Sequence, residues 1–252
     1  NLGCTVNAVE SANFTAGLLA KGYEQGALED CDLVIVNTCT VTSVADKKSR
    51  KTVRHALKAS KGLVYVTGCS SKIAAKVFED MDPRVKVCVK ADLLAELNDA
   101  EHLRQGPEFK TRVGIKIQDG CNNACSYCLV RHARGRSTSL PFEQVLCEAK
   151  RYIDAGVREL VLSGINIGAY NHQGKDLSEL LGALTEIPCD EPYRFRISSI
   201  EPQDLTDQVI SVVKDSQGKI CKHFHLPLQA GSSKVLQEMN RKYSAQEFQA
   251  MV

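Results

Sequence analysis

Three closely spaced cysteines constrain this chain more than any other feature of its sequence. Cys121, Cys125 and Cys128 lie on one short loop after a strand-like apolar segment, with three and then two residues between them. A structural zinc site uses four protein ligands, so three thiolates on one loop fit zinc poorly. Thiolates are the usual ligands of iron–sulfur clusters, and three of them predict a cluster whose fourth iron is open to a small molecule. The alternatives are three buried structural thiols or a stray zinc loop.

The composition is that of a globular protein outside membranes. The 252 residues are 43% hydrophobic and 25% charged, as is usual for soluble domains. No apolar run approaches the roughly 20 residues of a membrane span, so we expect a cytoplasmic protein without a membrane partner. The net charge of +2 neither demands nor excludes nucleic acid. Eleven cysteines without a secretion signal indicate metal, cluster or redox chemistry in a reducing compartment.

The first hundred residues alternate between short apolar runs and helical patterns. Asp32 to Asn37 is one such run and is typical of a strand buried on both faces. Strands and helices that alternate at this length predict a parallel sheet covered by helices. The predicted strands are 32–37, 63–67 and 85–89, and the predicted helices are 13–21, 44–59, 71–80 and 92–100.

Three further cysteines stand where ligands of such a sheet collect. Cys39 and Cys69 each come just after a predicted strand, and Cys4 precedes a predicted helix. Ligands gather at the carboxyl ends of parallel strands. We therefore predict that Cys4, Cys39 and Cys69 converge on one edge of the sheet and hold a second cluster. The alternative is three unrelated buried cysteines, since free cysteine is commonly buried.

A second alternating series begins at Arg112. The segment 104–111 contains Gly106-Pro107 and is a predicted linker between a domain at 1–103, lacking its first strand, and a domain at 112–252. Repeated strand–helix units curl into a complete or partial barrel whose active site lies at the carboxyl-terminal mouth. We expect a fragment of a longer protein, because the chain ends inside an apparent helix. The predicted strands are 113–118, 159–163, 194–198 and 222–226, and the predicted helices are 141–155, 177–186, 205–214, 232–239 and 245–252.

Short motifs accompany the six cysteines and the later strands. Tyr127 fills the position before the last cysteine of the loop. The other motifs are Leu2-Gly3-Cys4 with Asn7, Asn37-Thr38-Cys39, Gly68-Cys69, Asp119 to Cys128 with Arg134-Gly135-Arg136, Leu162 to Tyr170, Ser198 to Pro202, and His225 to Ser232.

Together these motifs closely resemble those of the radical S-adenosylmethionine (SAM) methylthiotransferases. The resemblance implies an α/β fold with an amino-terminal parallel α/β sandwich followed by a truncated radical-SAM (β/α) barrel. We expect the family's small carboxyl-terminal RNA-binding β-barrel to be missing from this fragment. The implied cofactors are two 4Fe-4S clusters and S-adenosyl-L-methionine.

The resemblance also implies roles for individual residues. Cys121, Cys125 and Cys128 would hold the catalytic cluster, while the amino-terminal trio would hold a cluster that carries the donated sulfur. Ordinary capping or turn chemistry is the alternative for the supporting residues. In those supporting roles, Tyr127 would pack near the cofactor adenine, Gly164 would admit the methionine amine, Ser198 and Glu201 would bind ribose or amine, and Gln229 would follow the next strand.

Two motifs narrow the expected substrate. Asn37 to Thr42 and Gly164 to Tyr170 most resemble the bacterial branch that acts on threonylcarbamoyladenosine in tRNA. The implied partners are the tRNA anticodon loop and an electron donor such as flavodoxin or ferredoxin, and we expect a monomer. Arg131, Arg134 and Arg136 stand next to the cysteine loop and are the residues expected to meet the RNA.

Two kinds of alternative remain open. Within the family, the substrate would be another tRNA adenosine or an aspartate of a ribosomal protein. From a different class, a non-catalytic iron–sulfur electron carrier or sensor would need a fourth cysteine near each trio. The remaining cysteines are Cys31, Cys88, Cys147, Cys189 and Cys221.

Overall fold

Parallel strands form the centre of each of the two units into which the chain divides. The computed structural model describes residues 2–89, 92–93 and 112–252. The units are Asn1–Pro107 and Glu108–Val252. The predicted linker at 104–111, and the predicted helix 92–100 beyond its first two residues, lie outside the described residues.

The first unit has a three-stranded parallel sheet in the order β1-β2-β3. Its strands are rich in valine, which suits the packed interior of a parallel sheet. Val36, Val64 and Val66 pack against Val53 and Phe78 in one core. The elements are α1 (Thr5–Ala20), β1 (Leu33–Thr38), α2 (Ser43–Ala59), β2 (Leu63–Gly68), α3 (Cys69–Ile73), α4 (Ala75–Glu79) and β3 (Val85–Val87).

Two predicted helices of this unit differ in their bounds. The helix expected at 13–21 already begins at Thr5, because Cys4 has extended backbone and acts as its amino-terminal cap. Val6 and Val9 are buried in these added turns. The helix expected at 71–80 is two short helices, which meet at Ala74, whose backbone leaves the helical region.

The second unit has a three-stranded parallel sheet in the order β10-β7-β4. Ile115, Leu160, Leu162 and Phe195 from its strands are fully buried. Two short antiparallel pairs, β5 with β6 and β8 with β9, lie outside this sheet. The strands are β4 (Val113–Lys116), β5 (Gln118–Asp119), β6 (Thr138–Ser139), β7 (Glu159–Ser163), β8 (Asn171–His172), β9 (Lys175–Asp176) and β10 (Arg194–Ile197). The helices are α5 (Val130–Arg134), α6 (Phe142–Asp154), α7 (Leu177–Thr185), α8 (Asp207–Asp215), α9 (Ser233–Glu238) and α10 (Ala245–Met251).

The strand expected at 222–226 does not form. Within this segment His225 makes an isolated bridge with Ser199, and Ile220, two residues before it, makes another with Phe195. The backbone N–H of His223 turns back to the carbonyl of Cys221 at 2.7 Å. Pro227 then removes a donor that a continuing strand would need.

The parallel α/β architecture predicted for both halves is confirmed. In the part of the chain that the structure describes, no helix combines the length and the apolar character needed to cross a bilayer.

Gly68 provides a test of the first unit. Its φ is +103°, and an added Cβ would lie 2.4 Å from the carbonyl oxygen of Thr38. We expect Gly68→Ala to lower the free energy of unfolding by about 3 kcal/mol, because backbone strain adds to a clash with backbone. Urea unfolding measures this loss.

Gly22→Ala is the matched control. Gly22 has a φ of +83°, but an added Cβ would meet nothing within 4 Å. Only the left-handed strain of about 1 kcal/mol remains at this position. Equal losses in the two variants would contradict the close contact between Gly68 and Thr38.

Candidate active site

The loop that carries Cys121, Cys125 and Cys128 joins β5 to α5 at the carboxyl-terminal side of the parallel sheet. Gly120 starts the loop with a φ of +69°, and an added Cβ there would lie 2.0 Å from the carbonyl oxygen of Arg136. The backbone N–H of Cys121 donates to the carbonyl of Gly135 at 3.1 Å. The start of the loop is therefore closed against the segment that follows α5.

Each of the three sulfur atoms accepts a hydrogen bond from a different donor. The backbone N–H of Asn123 donates to Sγ of Cys121 at 3.4 Å, and that of Val130 to Sγ of Cys128 at 3.4 Å. Nη1 of Arg241 donates to Sγ of Cys125 at 3.3 Å. Such donors stabilise thiolates and tune the potential of a cluster that thiolates hold.

The pKa of the Cys121 thiol depends on its surroundings. Burial raises the pKa of the Cys121 thiol, and the hydrogen bond from Asn123 opposes the shift. The charges of Cys125 and Cys128 raise this pKa further. A bound cation removes this repulsion, because a coordinating thiol is deprotonated by the metal.

A cleft of ≈ 580 Å³ lies beside the loop. Cys125 and Cys128 are the cysteines among the described residues that line it, and Arg131, His132 and Arg136 give it a basic wall. Across residues 2–89, 92–93 and 112–252, no three His, Cys, Asp or Glu side chains gather closely enough to hold one metal ion. A cluster differs from a single ion in this respect, because its thiolates bind separate irons.

Gln118 is the polar residue that ties this loop to the sheet. Its fully buried amide nitrogen donates to the carbonyls of Asp119 and Gly120, each at 2.8 Å. Its amide oxygen accepts the backbone N–H of Asn166 at 2.8 Å. An added Cβ on Gly164 would lie 2.9 Å from this oxygen. Gly164 therefore makes room for Gln118, a packing role beside the cofactor role predicted for it.

Arg134 differs from the two arginines expected beside it. Its side chain is only 3% exposed and pairs with Asp119 at 2.8 Å. The carboxylate of Asp119 also accepts hydrogen bonds from Nζ of Lys116 at 2.6 Å and from the backbone N–H of Gly120 at 2.8 Å. Arg134 thus supports the loop from inside, whereas Arg131 and Arg136 line the cleft.

Residues 238–241 brace the loop from the far end of the unit. The backbone N–H of Ser126 donates to the carbonyl of Met239 at 3.2 Å. The amide of Asn240 donates to the carbonyl of Ala124 at 2.7 Å. No motif in the sequence singled out this segment, because its contacts span more than a hundred residues.

Arg241 is the charged centre of this brace. Its side chain is 4% exposed and pairs with Glu201. It also lies 3.5 Å from the hydroxyl of Tyr127 and 3.3 Å from that of Tyr243. Burial raises the pKa of Glu201, and Arg241 opposes the rise. Glu201 and Tyr127, both predicted cofactor residues, are thus brought together through an arginine that sequence reasoning missed.

The other predicted cofactor residues lie at or beyond the carboxyl ends of the strands. Ser198 follows β10, and its backbone N–H donates to the carbonyl of Leu162 in β7 at 3.1 Å. Gln229 is exposed with a φ of +63° and does not follow a strand, because 222–226 does not form one. Gln229 therefore does not lie at the end of a strand, which is the position that the sequence implied.

Three buried polar atoms near these strand ends lack hydrogen-bond partners among the described residues. They are Oγ of Ser198, Oδ1 of Asn166 and Oδ2 of Asp204. Burial raises the pKa of Asp204, and the polar side chain of Asn166 beside it opposes the rise. A buried polar atom without a partner costs about 1–3 kcal/mol, so a polar ligand at this place stabilises the unit.

The second cysteine trio lies at the carboxyl-terminal edge of the first unit's sheet. Cys39 and Cys69 leave β1 and β2 at the same register, since Thr38 pairs with Gly68. Both are buried, whereas Cys4 is exposed.

Asn7 connects the third member of the trio to this edge. Its amide nitrogen donates to Oδ1 of Asn37 at 3.0 Å and to the carbonyl of Thr38 at 2.9 Å. The side-chain amide nitrogen of Asn37 in turn donates a hydrogen bond to the backbone carbonyl of Asn7 at 3.0 Å. Because Cys4 caps the helix that contains Asn7, the three cysteine-bearing segments meet at one edge.

Two family models match the sequence. The model described as Radical SAM superfamily matches residues 115–252. The model described as Uncharacterized protein family UPF0004 matches residues 1–90.

Curated relatives are similar along nearly the whole chain. A Bacillus subtilis (strain 168) protein named threonylcarbamoyladenosine tRNA methylthiotransferase MtaB is 36% identical, over 98% of this chain and 60% of that protein. A Desulfosudis oleivorans protein named tRNA-2-methylthio-N(6)-dimethylallyladenosine synthase is 32% identical, over 98% and 59%. An Aquifex aeolicus MtaB is 30% identical, over 100% and 67%. The chain thus spans about 60% of the length of the first two relatives.

Solved structures share the fold at low identity. The cobalamin-dependent SAM radical enzyme OxsB, with aqua-cobalamin and SAM bound, matches with a TM-score of 0.66 at 10% identity, over 96% of this chain and 44% of that one. The radical SAM methyltransferase TsrM of Kitasatospora setae, with cobalamin and a 4Fe-4S cluster bound, matches with a TM-score of 0.61 at 13% identity, over 96% and 63%. These likenesses confirm the predicted radical-SAM type of fold.

The pair of Arg241 and Glu201 provides a test of the brace. We expect Arg241→Met to lower the free energy of unfolding by about 3 kcal/mol, because it leaves a largely buried carboxylate unpaired. The double variant Arg241→Met/Glu201→Gln recovers much of this loss. Arg50→Met is the control, since it removes a surface pair with Asp46 on one helix, worth about 0.5 kcal/mol.

The loss depends on pH. Without Arg241, the folded-state pKa of Glu201 rises further above its unfolded value, so stability falls as pH rises through that folded pKa. Urea unfolding therefore shows a smaller deficit at acidic than at neutral pH. A deficit that grows on acidification, or no recovery in the double variant, would contradict this pairing.

Proposed function

This chain belongs to the radical SAM superfamily and, within it, to the methylthiotransferases, and we propose that it carries the catalytic units of an enzyme that adds a methylthio group to carbon 2 of threonylcarbamoyladenosine in tRNA. The observation that supports the chemistry best is the loop on which three thiols each accept a hydrogen bond beside an open cleft. The threonylcarbamoyladenosine substrate is supported by the MtaB name of the Bacillus and Aquifex relatives and by the motifs at 37–42 and 164–170.

The residues present fit the implied catalytic cofactors. Cys121, Cys125 and Cys128 supply three thiolates, so a 4Fe-4S cluster held here keeps one iron for SAM. When bound, the cluster supplies the electron that splits a carbon–sulfur bond of SAM and produces the radical that takes hydrogen from the substrate. The protein's part is to bind, orient and shield these reactants.

Side chains of this chain orient SAM in the proposal. The partnerless oxygens of Ser198, Asn166 and Asp204 accept hydrogen bonds from its ammonium group or ribose hydroxyls. Tyr127 is 48% exposed beside the cysteine loop, which leaves its ring available to pack on the adenine. The ion pair with Arg241 holds the Glu201 carboxylate in place. In the proposal this carboxylate contacts SAM without breaking the pair.

The second trio has a separate role in the proposal. Cys4, Cys39 and Cys69 would hold the cluster that carries the donated sulfur, and three protein ligands would leave room on it for that sulfur. The burial of Cys39 and Cys69 shields this chemistry from water. An electron donor such as flavodoxin or ferredoxin supplies the electrons.

Basic residues at the cleft support an RNA substrate. Arg131 and Arg136 line the cleft next to Cys125 and Cys128. Guanidinium groups bind phosphates through paired N–H donors, and a base that leaves its stack can then enter the site. The name of the Desulfosudis relative makes dimethylallyladenosine the second candidate substrate. Mass spectrometry of tRNA nucleosides, from cells with and without the gene, distinguishes these two products from an unchanged tRNA.

Cysteine variants separate the two proposed roles. In the anaerobically reconstituted chain, we expect Cys125→Ala to abolish formation of 5′-deoxyadenosine from SAM. Cys39→Ala retains this cleavage and loses methylthio transfer, because only the sulfur-carrying cluster is affected. Cleavage and transfer are measured by liquid chromatography with mass spectrometry.

Cys147→Ala is the control, because Cys147 is exposed on α6 outside both trios. It keeps both activities. If Cys39→Ala loses cleavage as completely as Cys125→Ala, the two trios do not have separate roles.

A further inference from the structure

Three arginines surround a single carboxylate at the amino-terminal ends of the parallel strands in the second unit. Glu159 is the first residue of β7, Arg194 is the first residue of β10, and Arg112 directly precedes β4. Arg196 lies two residues further along β10. This cluster is therefore at the end of the sheet opposite to the cysteine loop, and the chemistry proposed for that loop does not use it.

Glu159 fixes the arginines in place. Its side chain is only 6% exposed. Oε1 accepts Nε of Arg112 at 2.7 Å and Nε of Arg196 at 2.8 Å, while Oε2 accepts Nε of Arg194 at 2.6 Å and its Nη2 at 2.5 Å. These contacts involve mainly the Nε–H groups. Each guanidinium has five N–H donors, so most donors of the three are directed away from Glu159.

The cluster carries an excess of positive charge. Burial acts to raise the pKa of Glu159, but hydrogen bonds from Arg196 and Arg194 hold it below its usual range. The carboxylate is therefore charged at neutral pH and balances one of the three arginines. Among the described residues, Glu159 is the carboxylate with which these arginines form ion pairs.

A cleft of ≈ 610 Å³ opens on this cluster. A fourth arginine, Arg158, lines it together with Arg112 and Arg194. Arg112 and Arg194 are 45% and 54% exposed, so their remaining donors are accessible from the cleft. The nearby ring of Tyr193 is buried, with its hydroxyl bound to the carbonyl of Ile187 at 2.6 Å. Among the described residues that line it, the cleft thus offers charge and donors but no open aromatic face for a base.

We propose that this arginine cleft binds a phosphate group. The planar fork of a guanidinium matches the oxygens of phosphate, and several forks held by one buried carboxylate are already oriented for it. The phosphate is either a free ion or part of an RNA backbone, since the recognising chemistry is the same. The proposal rests on the cleft alone and holds whether or not the chain modifies tRNA.

Calorimetric titration of the whole chain with inorganic phosphate at low ionic strength tests the proposal. We expect saturable binding of phosphate. Arg194→Gln weakens this binding about tenfold, because it removes one charged hydrogen bond. If Arg194→Gln fails to fold, Arg112→Gln replaces it as the test variant. Arg112→Gln leaves Glu159 paired with Arg194 and Arg196. Lys234→Gln is the control, because it removes one exposed positive charge outside the cleft.

A competition experiment identifies the source of the phosphate. If a single-stranded RNA oligonucleotide displaces inorganic phosphate, the cleft takes a backbone phosphate. If the oligonucleotide fails to displace it, the cleft takes the free ion, and both results support the site. Absence of saturable phosphate binding, or equal weakening by Arg112→Gln and Lys234→Gln, overturns the proposal. Neither result bears on SAM cleavage, so the failure of this site is distinct from the failure of the proposed enzyme.

Discussion

Hydrogen bonds to three neighbouring sulfur atoms on one short loop are the interactions on which the candidate site depends. Burial raises the pKa of the Cys121 thiol, and the charges of Cys125 and Cys128 raise it further, so the thiolate form of Cys121 needs a compensating partner. Each sulfur accepts one hydrogen bond: Cys121 from Asn123, Cys128 from Val130 and Cys125 from Arg241. Two of these donors come from the loop's own backbone, and the third comes from the far end of the unit. A metal cluster held by the three thiolates would complete this compensation.

The loop keeps its shape because buried polar groups hold it on both sides. Gln118 joins the start of the loop to the backbone after β7, and Arg134 holds Asp119 from within. Groups buried in this way are costly when a partner is lost. The oxygens of Ser198, Asn166 and Asp204 lack partners among the described residues, next to this well-satisfied network. In the proposed function these oxygens are the groups that a polar ligand satisfies.

The sequence predicts the parts of this protein that local pattern determines. Apolar runs identify β1, β2 and β7 because buried parallel strands need continuous hydrophobic residues, whereas β10 alternates arginines with the buried Phe195 and Ile197. The segment 222–226 alternates polar and apolar residues as β10 does, but it makes a single isolated bridge at His225, so pattern alone overestimated the sheet. The cysteine motifs identify both trios, and parallel-sheet topology explains why Cys39 and Cys69 share an edge. Gln118 and Arg241 were missed because their roles come from tertiary contacts, in the case of Arg241 and Cys125 across 116 residues.

Iron analysis combined with electron paramagnetic resonance tests the central claim most directly. The chain is reconstituted anaerobically with iron and sulfide, reduced, and measured with and without SAM. Two clusters, each on three thiolates with one open iron, predict about eight irons per chain and a spectrum that changes when SAM is added. A fully loaded protein whose spectrum stays the same after SAM is added would contradict the account, because its irons would all be closed to the cofactor.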